Sequence, residues 1–120
     1  MEHDLRQELL DYVATEYGTK GDHPFNRFPQ YTILRHEHNR KWYAALMLVP
    51  KDKLGLAGVE EVPLVNLKVK PELALILQGR EGIFPGYHMN KENWLSVLLT
   101  GVVPLAEIIP LLDDSYLLTR

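Results

Sequence analysis

The sequence has 120 residues, of which 46% are hydrophobic and 24% charged, and this composition excludes a largely disordered chain. It contains no cysteine, which excludes disulfide bonds, thiolate zinc sites and cysteine nucleophiles. Its formal net charge is −3, which is not the balance of a strong nucleic-acid binder. We expect residues 1–120 to form a single domain around one core.

Charge is unevenly distributed along the chain. Residues 27–53 carry six Lys and Arg against two acids, and the segments on both sides are acidic. This basic middle segment indicates either a weak surface for a polyanion or solvated strand edges and loop ends. The N-terminus is acidic where a secretion signal would be basic, and no apolar run is long enough to span a bilayer. We therefore expect a cytoplasmic protein without a membrane segment.

The first predicted element is an amphipathic helix over residues 2–17, in which apolar residues recur every four positions at Leu5, Leu9, Val13 and Tyr17. Glycine and proline then break the pattern, and residues 19–29 are predicted to form a loop. Two runs of strand-forming residues follow, over 31–35 and 41–49. The polar segment 36–40 between them predicts a hairpin turn.

A proline, Pro50, ends the second strand, and a long loop over 51–62 follows. The apolar residues of this loop indicate that it packs onto the fold. Residues 64–69 then alternate between apolar and polar, with Asn66 and Lys68 on the polar side. This pattern predicts a strand that is half exposed to solvent.

The rest of the chain predicts a short proline-initiated helix over 72–78, a strand over 94–100 and a C-terminal helical region. Pro110 lies within that last region and predicts a kink or two short helices. The stretch 82–94 repeats at neither helical nor strand period. The predicted order is therefore helix, three strands, helix, one or two strands and helix, which is an α+β arrangement.

No catalytic or metal site emerges from the sequence. His36 and His38 could share one face of a strand and bind a metal, but no third ligand has a characteristic spacing, and a solvated turn is the alternative. Ser115 lacks the Gly-x-Ser-x-Gly setting of a nucleophile, so we interpret it as a side chain that bonds to backbone. No phosphate-binding loop or dinucleotide fingerprint is present. We therefore expect a protein that is not an enzyme and binds no cofactor.

The stretch 82–94 concentrates polar and aromatic side chains behind a Pro-Gly turn. It offers stacking surfaces, hydrogen-bond donors and one positive charge, from Tyr87, His88, Asn90, Lys91 and Trp94. Such a set suits a nucleic-acid backbone or a planar anion. The alternative is a tight connection in which the two aromatics pack under the sheet and Asn90 caps a turn.

These residues also carry a family resemblance. The string Phe84-Pro-Gly-Tyr-His-Met-Asn-Lys-x-x-Trp94, followed by a strand and by Asp-Ser-Tyr near the C-terminus, resembles the MmcQ/YjbR family. The resemblance extends over essentially the whole chain. It implies a two-layer α+β fold of order α-β(3)-α-β(2)-α, with the helices on one face of an antiparallel sheet, similar to secretion chaperones. One departure is Lys70 before the short helix, where an acidic or capping residue is expected.

The family is commonly labelled DNA-binding, with a proposed double-wing mode, and no catalytic residues are part of the resemblance. On that basis, phosphate contacts are expected from the hairpin and from the turn, with residues that stack or position the turn beside them: Arg35, Arg40, Lys41, His88, Asn90 and Lys91, with Tyr87 and Trp94. Because the chain is acidic overall, we expect weak, salt-sensitive binding by a monomer.

Two other functions stay open at this point. One is a protein- or peptide-binding adaptor that uses the sheet face and therefore exposes a contiguous apolar patch. The other is a small-ligand-binding domain with a concave pocket at Tyr87, His88 and Trp94.

Overall fold

A computed structural model of the chain describes residues 4–120, so residues 2 and 3 of the predicted first helix lie outside the described part. The helices are α1 (Leu5–Tyr17), α2 (Pro71–Leu77) and α3 (Leu105–Thr119). The strands are β1 (Thr32–Arg35), β2 (Trp42–Pro50), β3 (Glu61–Lys68), β4 (Ile83–Pro85) and β5 (Trp94–Leu98). This order confirms the expected α+β fold, α-β(3)-α-β(2)-α.

The strands form one antiparallel sheet in the spatial order β1-β2-β3-β5-β4. All three helices contribute to the core on one face of this sheet, which we call the helix-side core. Its helical members include Leu9 and Val13 of α1, Ala74 of α2, and Ile108 and Leu112 of α3, all of them buried. The expected packing of the helices on one face is therefore confirmed.

Local chemistry sets the limits of α1. The carboxylate of Asp4 accepts a hydrogen bond from the backbone N–H of Gln7 at 3.1 Å and so caps the N-terminus. At the other end, Gly18 adopts a left-handed conformation, and its N–H bonds to the Ala14 carbonyl. By contrast, Lys70 gives α2 no side-chain cap, as its sequence predicted.

The opposite face of the sheet is also buried, which the sequence did not predict. Residues such as Ile33, Val49 and Leu64 form a second cluster there, the loop-side core. It is covered by partly buried aromatic and aliphatic residues from the connecting segments: Phe25, Tyr31, Trp42, Leu54, Leu56, Phe84 and Tyr87. The prediction that β3 is half exposed is therefore wrong, because Asn66 on its polar side is completely buried under these segments.

Two stretches contain regular structure that their local sequence patterns do not predict. The stretch 82–94 contains a strand, β4, which pairs with β5 at the edge of the sheet. The predicted loop 51–62 begins with a 3-10 turn, Lys51–Leu54, and its last residues already belong to β3. Leu54 and Leu56 of this loop pack on the loop-side core, so the predicted packing is confirmed.

The C-terminal region is one continuous helix, so of the two alternatives predicted for Pro110, a kink or two short helices, the second is wrong. Pro110 lies inside α3, where it removes the N–H that would bond to the Ala106 carbonyl. Its side chain is exposed, whereas Ile108 and Leu112 on either side are completely buried. Packing of this apolar face stabilises the helix despite the missing hydrogen bond. No helix within residues 4–120 is long and apolar enough to cross a bilayer.

Replacement of Pro110 by alanine tests this account of α3. We expect Pro110→Ala to raise the free energy of unfolding by about 1–2 kcal/mol. Removing the proline relieves a cost of roughly 3 kcal/mol that a proline imposes inside a helix. It also gives up roughly 1 kcal/mol, because a proline stabilises the fold by restricting the unfolded chain. Urea denaturation measures the change. Pro104→Ala, at the exposed N-cap of α3, is the control and should change stability little. An unchanged or lower stability of Pro110→Ala would contradict the account.

Candidate nucleic-acid interface

The strand register brings two distant turns to the same end of the sheet. The β1–β2 turn, residues 36–41, lies beside the Arg35–Trp42 pair. The β4–β5 turn, residues 86–93, follows Pro85, which pairs with Leu95. Since β3 pairs in register with both β2 and β5, its C-terminal end lies between the two turns.

The three segments that meet at this end are cationic as a set. Residues 35–42, 68–70 and 85–94 contain six Lys and Arg and two Glu, a formal net charge of +4 in a chain of net charge −3. We call these three segments the cationic end. The basic middle segment seen in the sequence thus accounts for only part of it, because Lys68, Lys70 and Lys91 come from other parts of the chain.

The side chains of the predicted hairpin residues differ in how exposed they are and in how closely other residues hold them. Arg35 is tied down, because its Nε lies 2.7 Å from a carboxylate oxygen of Asp22 and its guanidinium lies 5.6 Å from the ring centroid of Trp42. Arg40 is largely exposed and lies 3.3 Å from the same oxygen of Asp22. Lys41 is exposed. Arg40 and Lys41 therefore project their charges to solvent, and Arg35 orders the base of the hairpin.

A buried polar network holds the β4–β5 turn in place. The Ser96 hydroxyl donates to the side-chain carbonyl of Asn66, and both residues are completely buried. Ser96 Oγ also accepts from the backbone N–H of Tyr87 at 2.8 Å, while the Asn66 amide donates to the Tyr87 carbonyl at 3.1 Å. Both backbone polar groups of Tyr87 are therefore satisfied by β3 and β5, and the turn is fixed to the centre of the sheet.

The rest of this turn is ordered by its own polar residues. The Lys91 Nζ donates to the Gly86 carbonyl at 2.7 Å, and the Asn90 side chain accepts from the N–H of Glu92 at 2.9 Å. His88 has a left-handed backbone, with φ of 59°, and its ring stacks on that of Tyr87 at 4.1 Å between centroids. His88, Asn90 and Lys91 are exposed, so an ordered turn presents them to solvent.

The two aromatic residues predicted beside the turn are both half-buried. Tyr87 is half-buried and packs on the loop-side core, and Trp94, also half-buried, lies opposite Lys68 on β3. Of the alternative in which both aromatics pack under the sheet, the turn cap by Asn90 and the packing of Tyr87 are confirmed, and the packing of Trp94 stays a prediction. This packing does not test the phosphate contacts expected from the exposed residues His88, Asn90 and Lys91, which stay a prediction.

A bulge in β2 shapes the other side of the cationic end. Tyr43 has no partner on β1, because Leu34 pairs with Ala44 and Arg35 with Trp42. The side chain of Tyr43 thereby joins the helix-side core next to that of Ala44. The pairing of β2 with β3 ends at Ala44–Leu67, and the Ser115 hydroxyl bridges the next two backbone groups. It donates to the Tyr43 carbonyl at 2.5 Å and accepts from the Lys68 N–H at 2.9 Å.

Sequence reasoning missed three of the residues that build this site, namely Asn66, Ser96 and Tyr43. The available signal was a polar residue in the middle of each of two apolar strands, at positions that become cross-strand partners. The interpretation of Ser115 as a side chain bonded to backbone is confirmed, although its partners lie in the sheet rather than in its own helix.

Only one of the two histidines of the β1–β2 turn is exposed to solvent. His36 is buried, and its Nε2 lies 2.8 Å from the Thr119 hydroxyl, while His38 is exposed with its ring centroid 5.5 Å away. Burial lowers the pKa of His36, so that its ring is neutral at pH 7. Within residues 4–120, no group of three or more His, Asp or Glu side chains is placed to hold a metal ion.

Comparison with known proteins identifies the family. The YjbR family model matches residues 14–118, which is most of the chain. The chain belongs to the YjbR family. Among its YjbR relatives, the uncharacterized protein YyaQ of Bacillus subtilis is 43% identical over 115 residues, which cover 96% of this chain and 98% of YyaQ. The uncharacterized protein YjbR of Escherichia coli K12 is 44% identical over 59 residues, 48% of this chain and 50% of that protein.

Solved structures show the same YjbR fold. A crystal structure of a Pseudomonas syringae protein superposes with a TM-score of 0.93 at 49% identity, covering 96% of this chain and 98% of that one. The Deinococcus radiodurans protein DR2400 superposes with a TM-score of 0.70 at 27% identity, covering 93% of this chain and 76% of that one. These similarities establish family and fold, and they name no ligand.

The Asn66–Ser96 network makes a prediction for the β4–β5 turn. Ser96→Ala leaves the Tyr87 N–H and the side-chain carbonyl of Asn66 without their buried partner, so we expect the free energy of unfolding to fall by about 1–3 kcal/mol. Hydrogen exchange at the Tyr87 amide should accelerate more than exchange in β1. Thr100→Ala, at an exposed position just beyond β5, is the matched control. Unchanged stability and unchanged Tyr87 exchange would show that the network does not hold the turn.

Proposed function

We propose that this YjbR-family chain is a non-catalytic, DNA-binding domain whose contact surface is the cationic end. The single observation that supports the proposal is the strand register, which brings the hairpin turn and the β4–β5 turn to one end of the sheet. Had the turns lain at opposite ends, the predicted residues could not have contacted one duplex together.

The spacing of the two turns suits a duplex. Their midpoints are separated by three strand-to-strand steps in the order β1-β2-β3-β5-β4, about 14 Å at the usual ~4.8 Å spacing. The major groove of B-DNA is about 12 Å wide, so two turns at this separation can contact phosphates on its two sides. We assign phosphate contacts to the exposed residues of each turn: Arg40, Lys41, His88, Asn90 and Lys91.

Three other predicted residues take supporting roles in the proposal. Arg35 holds the hairpin through Asp22 and Trp42, and Tyr87 anchors the second turn through its backbone. Trp94 is partly buried at the start of β5 and positions that strand beside Lys68. Rigid supports of this kind reduce the ordering entropy that would oppose binding.

The overall charge limits the affinity. Outside the cationic end the chain has a formal net charge of −7, which repels a polyanion that approaches from any other direction. We therefore propose weak binding that depends on a few phosphate contacts and falls steeply with salt. We also propose that the protein acts as a cytoplasmic monomer without a cofactor.

The two alternative functions have less support. A peptide-binding adaptor that uses the sheet face needs exposed apolar strand residues, but strand residues of the loop-side core such as Ile33, Val49 and Leu64 are completely buried. A ligand pocket at the β4–β5 turn needs a cavity there. Tyr87 instead packs on the loop-side core, and its ring stacks on that of His88 at 4.1 Å between centroids.

Fluorescence anisotropy of labelled duplex and single-stranded DNA tests the proposal. We expect binding at low salt, and the logarithm of the association constant should fall linearly with the logarithm of the salt concentration. The double variant Lys41→Gln/Lys91→Gln should flatten that slope by about 2, since each phosphate contact on B-DNA contributes about 0.9. Lys41 is exposed, and Lys91 is bonded to Gly86, so thermal unfolding of the variant is measured alongside.

A variant with the same charge change at the other end of the sheet is the control. Lys53 and Arg80 are exposed and lie beyond the far ends of β2 and β4. Lys53→Gln/Arg80→Gln should leave the salt slope unchanged. Absence of binding even at low salt, or an equal loss in both double variants, would contradict a surface at the cationic end.

A further inference from the structure

A polar cavity of about 560 Å³ lies between the C-terminal end of α1 and the β1–β2 hairpin. It is separate from the β4–β5 turn, since all of its lining residues belong to residues 17–40 or to α3. Its volume is within the range of small-ligand sites, which is roughly 300–1,000 Å³. No part of the DNA-binding proposal uses this cavity as a site.

Aromatic rings form one wall of the cavity. Tyr17 and Tyr116 both line it, with their rings stacked at 3.8 Å between centroids and inclined by 8°. The Tyr17 hydroxyl is committed to Asp113, to which it donates at 2.5 Å. The Tyr116 ring also lies 4.4 Å from the ring of His36 and 5.0 Å from that of Tyr43 between centroids, so its edge is what remains for the cavity. Aromatic edges of this kind can contact the face of a flat ring.

Cationic side chains also line the cavity. Lys20, Arg35 and Arg40 line the cavity, and the acids among its lining residues are Asp22 and Glu37. The carboxylate of Asp22 is shared between both guanidiniums, at 2.7 Å from Arg35 and 3.3 Å from Arg40. One carboxylate between two guanidiniums leaves positive charge uncompensated and leaves donors on Arg40 for a second anion.

The backbone of Arg40 points to a functional reason for its position. Arg40 has a φ of 62°, in the left-handed region that favours glycine or asparagine. Hydrogen bonds of the hairpin hold it there, from the Arg40 N–H to the His36 carbonyl and from the His36 N–H to the Lys41 carbonyl, both at 3.0 Å. A strained arginine where glycine would fold more easily indicates that its side chain has a role.

The remaining neighbours do not oppose an anion strongly. The α1 C-terminus faces the cavity, but its Ala14 and Val13 carbonyls already accept hydrogen bonds from Gly18 and Thr19. His38 is exposed at the rim and can add a donor.

We propose that this cavity binds a small anion that carries a planar ring, with the anionic group between Lys20 and Arg40 and the ring against Tyr116. A phosphate or carboxylate matches the guanidinium fork of Arg40, and the aromatic wall supplies the contact for the ring. The cavity shares Arg40 with the DNA-binding surface at the cationic end, whereas Lys20 and Tyr116 belong to the cavity alone and therefore distinguish the two sites.

Isothermal titration calorimetry with three probes tests the proposal: adenosine 5′-monophosphate, adenosine and inorganic phosphate. Adenosine monophosphate carries both features and should bind at least tenfold more tightly than either of the other two. Lys20→Gln and Tyr116→Leu should each weaken its binding at least fivefold. Lys53→Gln, an exposed lysine at the far end of the sheet, is the charge-matched control and should not change it.

Arg40→Gly separates binding from folding. Glycine relieves the left-handed backbone, so this variant should unfold at a temperature equal to or above that of the wild type while its affinity for adenosine monophosphate falls at least tenfold. The Lys41→Gln/Lys91→Gln variant should bind adenosine monophosphate normally, so a failure of the DNA proposal and a failure of this one are distinguishable.

Competition identifies the source of such an anion. A single-stranded oligonucleotide with a 5′-phosphate that displaces adenosine monophosphate, when its unphosphorylated form does not, assigns the site to nucleic-acid ends. If neither competes, the site is assigned to free small molecules. Equal affinity for all three probes, no binding of adenosine monophosphate at millimolar concentration, or unchanged affinity in Arg40→Gly and Lys20→Gln would overturn the proposal.

Discussion

The buried pair of Asn66 and Ser96 is the constraint on which the candidate interface depends. These residues face each other on β3 and β5, and together they bond both backbone polar groups of Tyr87. A shift of the strands by one residue would separate the pair and leave buried amide and hydroxyl groups without partners, at a cost of about 1–3 kcal/mol for each group. The pair therefore specifies the register that brings the β4–β5 turn level with the hairpin.

A second polar contact completes the same end of the sheet. The bulge at Tyr43 lies in the β1–β2 pair, and the pairing of β2 with β3 ends at Ala44–Leu67. Just beyond that pair, the hydroxyl of Ser115 from α3 bridges the Tyr43 carbonyl and the Lys68 N–H. The bulge places the ring of Tyr43 against those of Tyr17 and Tyr116, beside the cavity. One helix thus contacts both the strand ends that carry the cationic residues and the aromatic wall of the cavity.

Much of the fold follows from the sequence, and much of the site does not. Apolar residues at every fourth position predict α1, and the alternation of apolar and polar residues predicts β3. The Pro-Gly-Tyr-His-Met-Asn-Lys string indicates the family. All three are local patterns. The burial of Asn66 does not follow, since it depends on loops that are distant in sequence and cover its face of the sheet. The continuity of α3 through Pro110 also depends on tertiary packing, which overrides local propensity. The hairpin and turn residues were predicted from composition, but their common placement follows only from the register of β3 with its neighbours.

The central claim is that two turns from different parts of the chain act as one phosphate-contacting surface. A titration of the isotopically labelled protein with a short DNA duplex, followed by two-dimensional amide NMR, tests it most directly. The account predicts that amides of residues 35–42 and 86–93 shift together, with one common dissociation constant, while amides of α2 and of the Lys51–Leu54 turn stay in place. Shifts confined to one turn, shifts centred on the helices, or no shifts at low salt would contradict it.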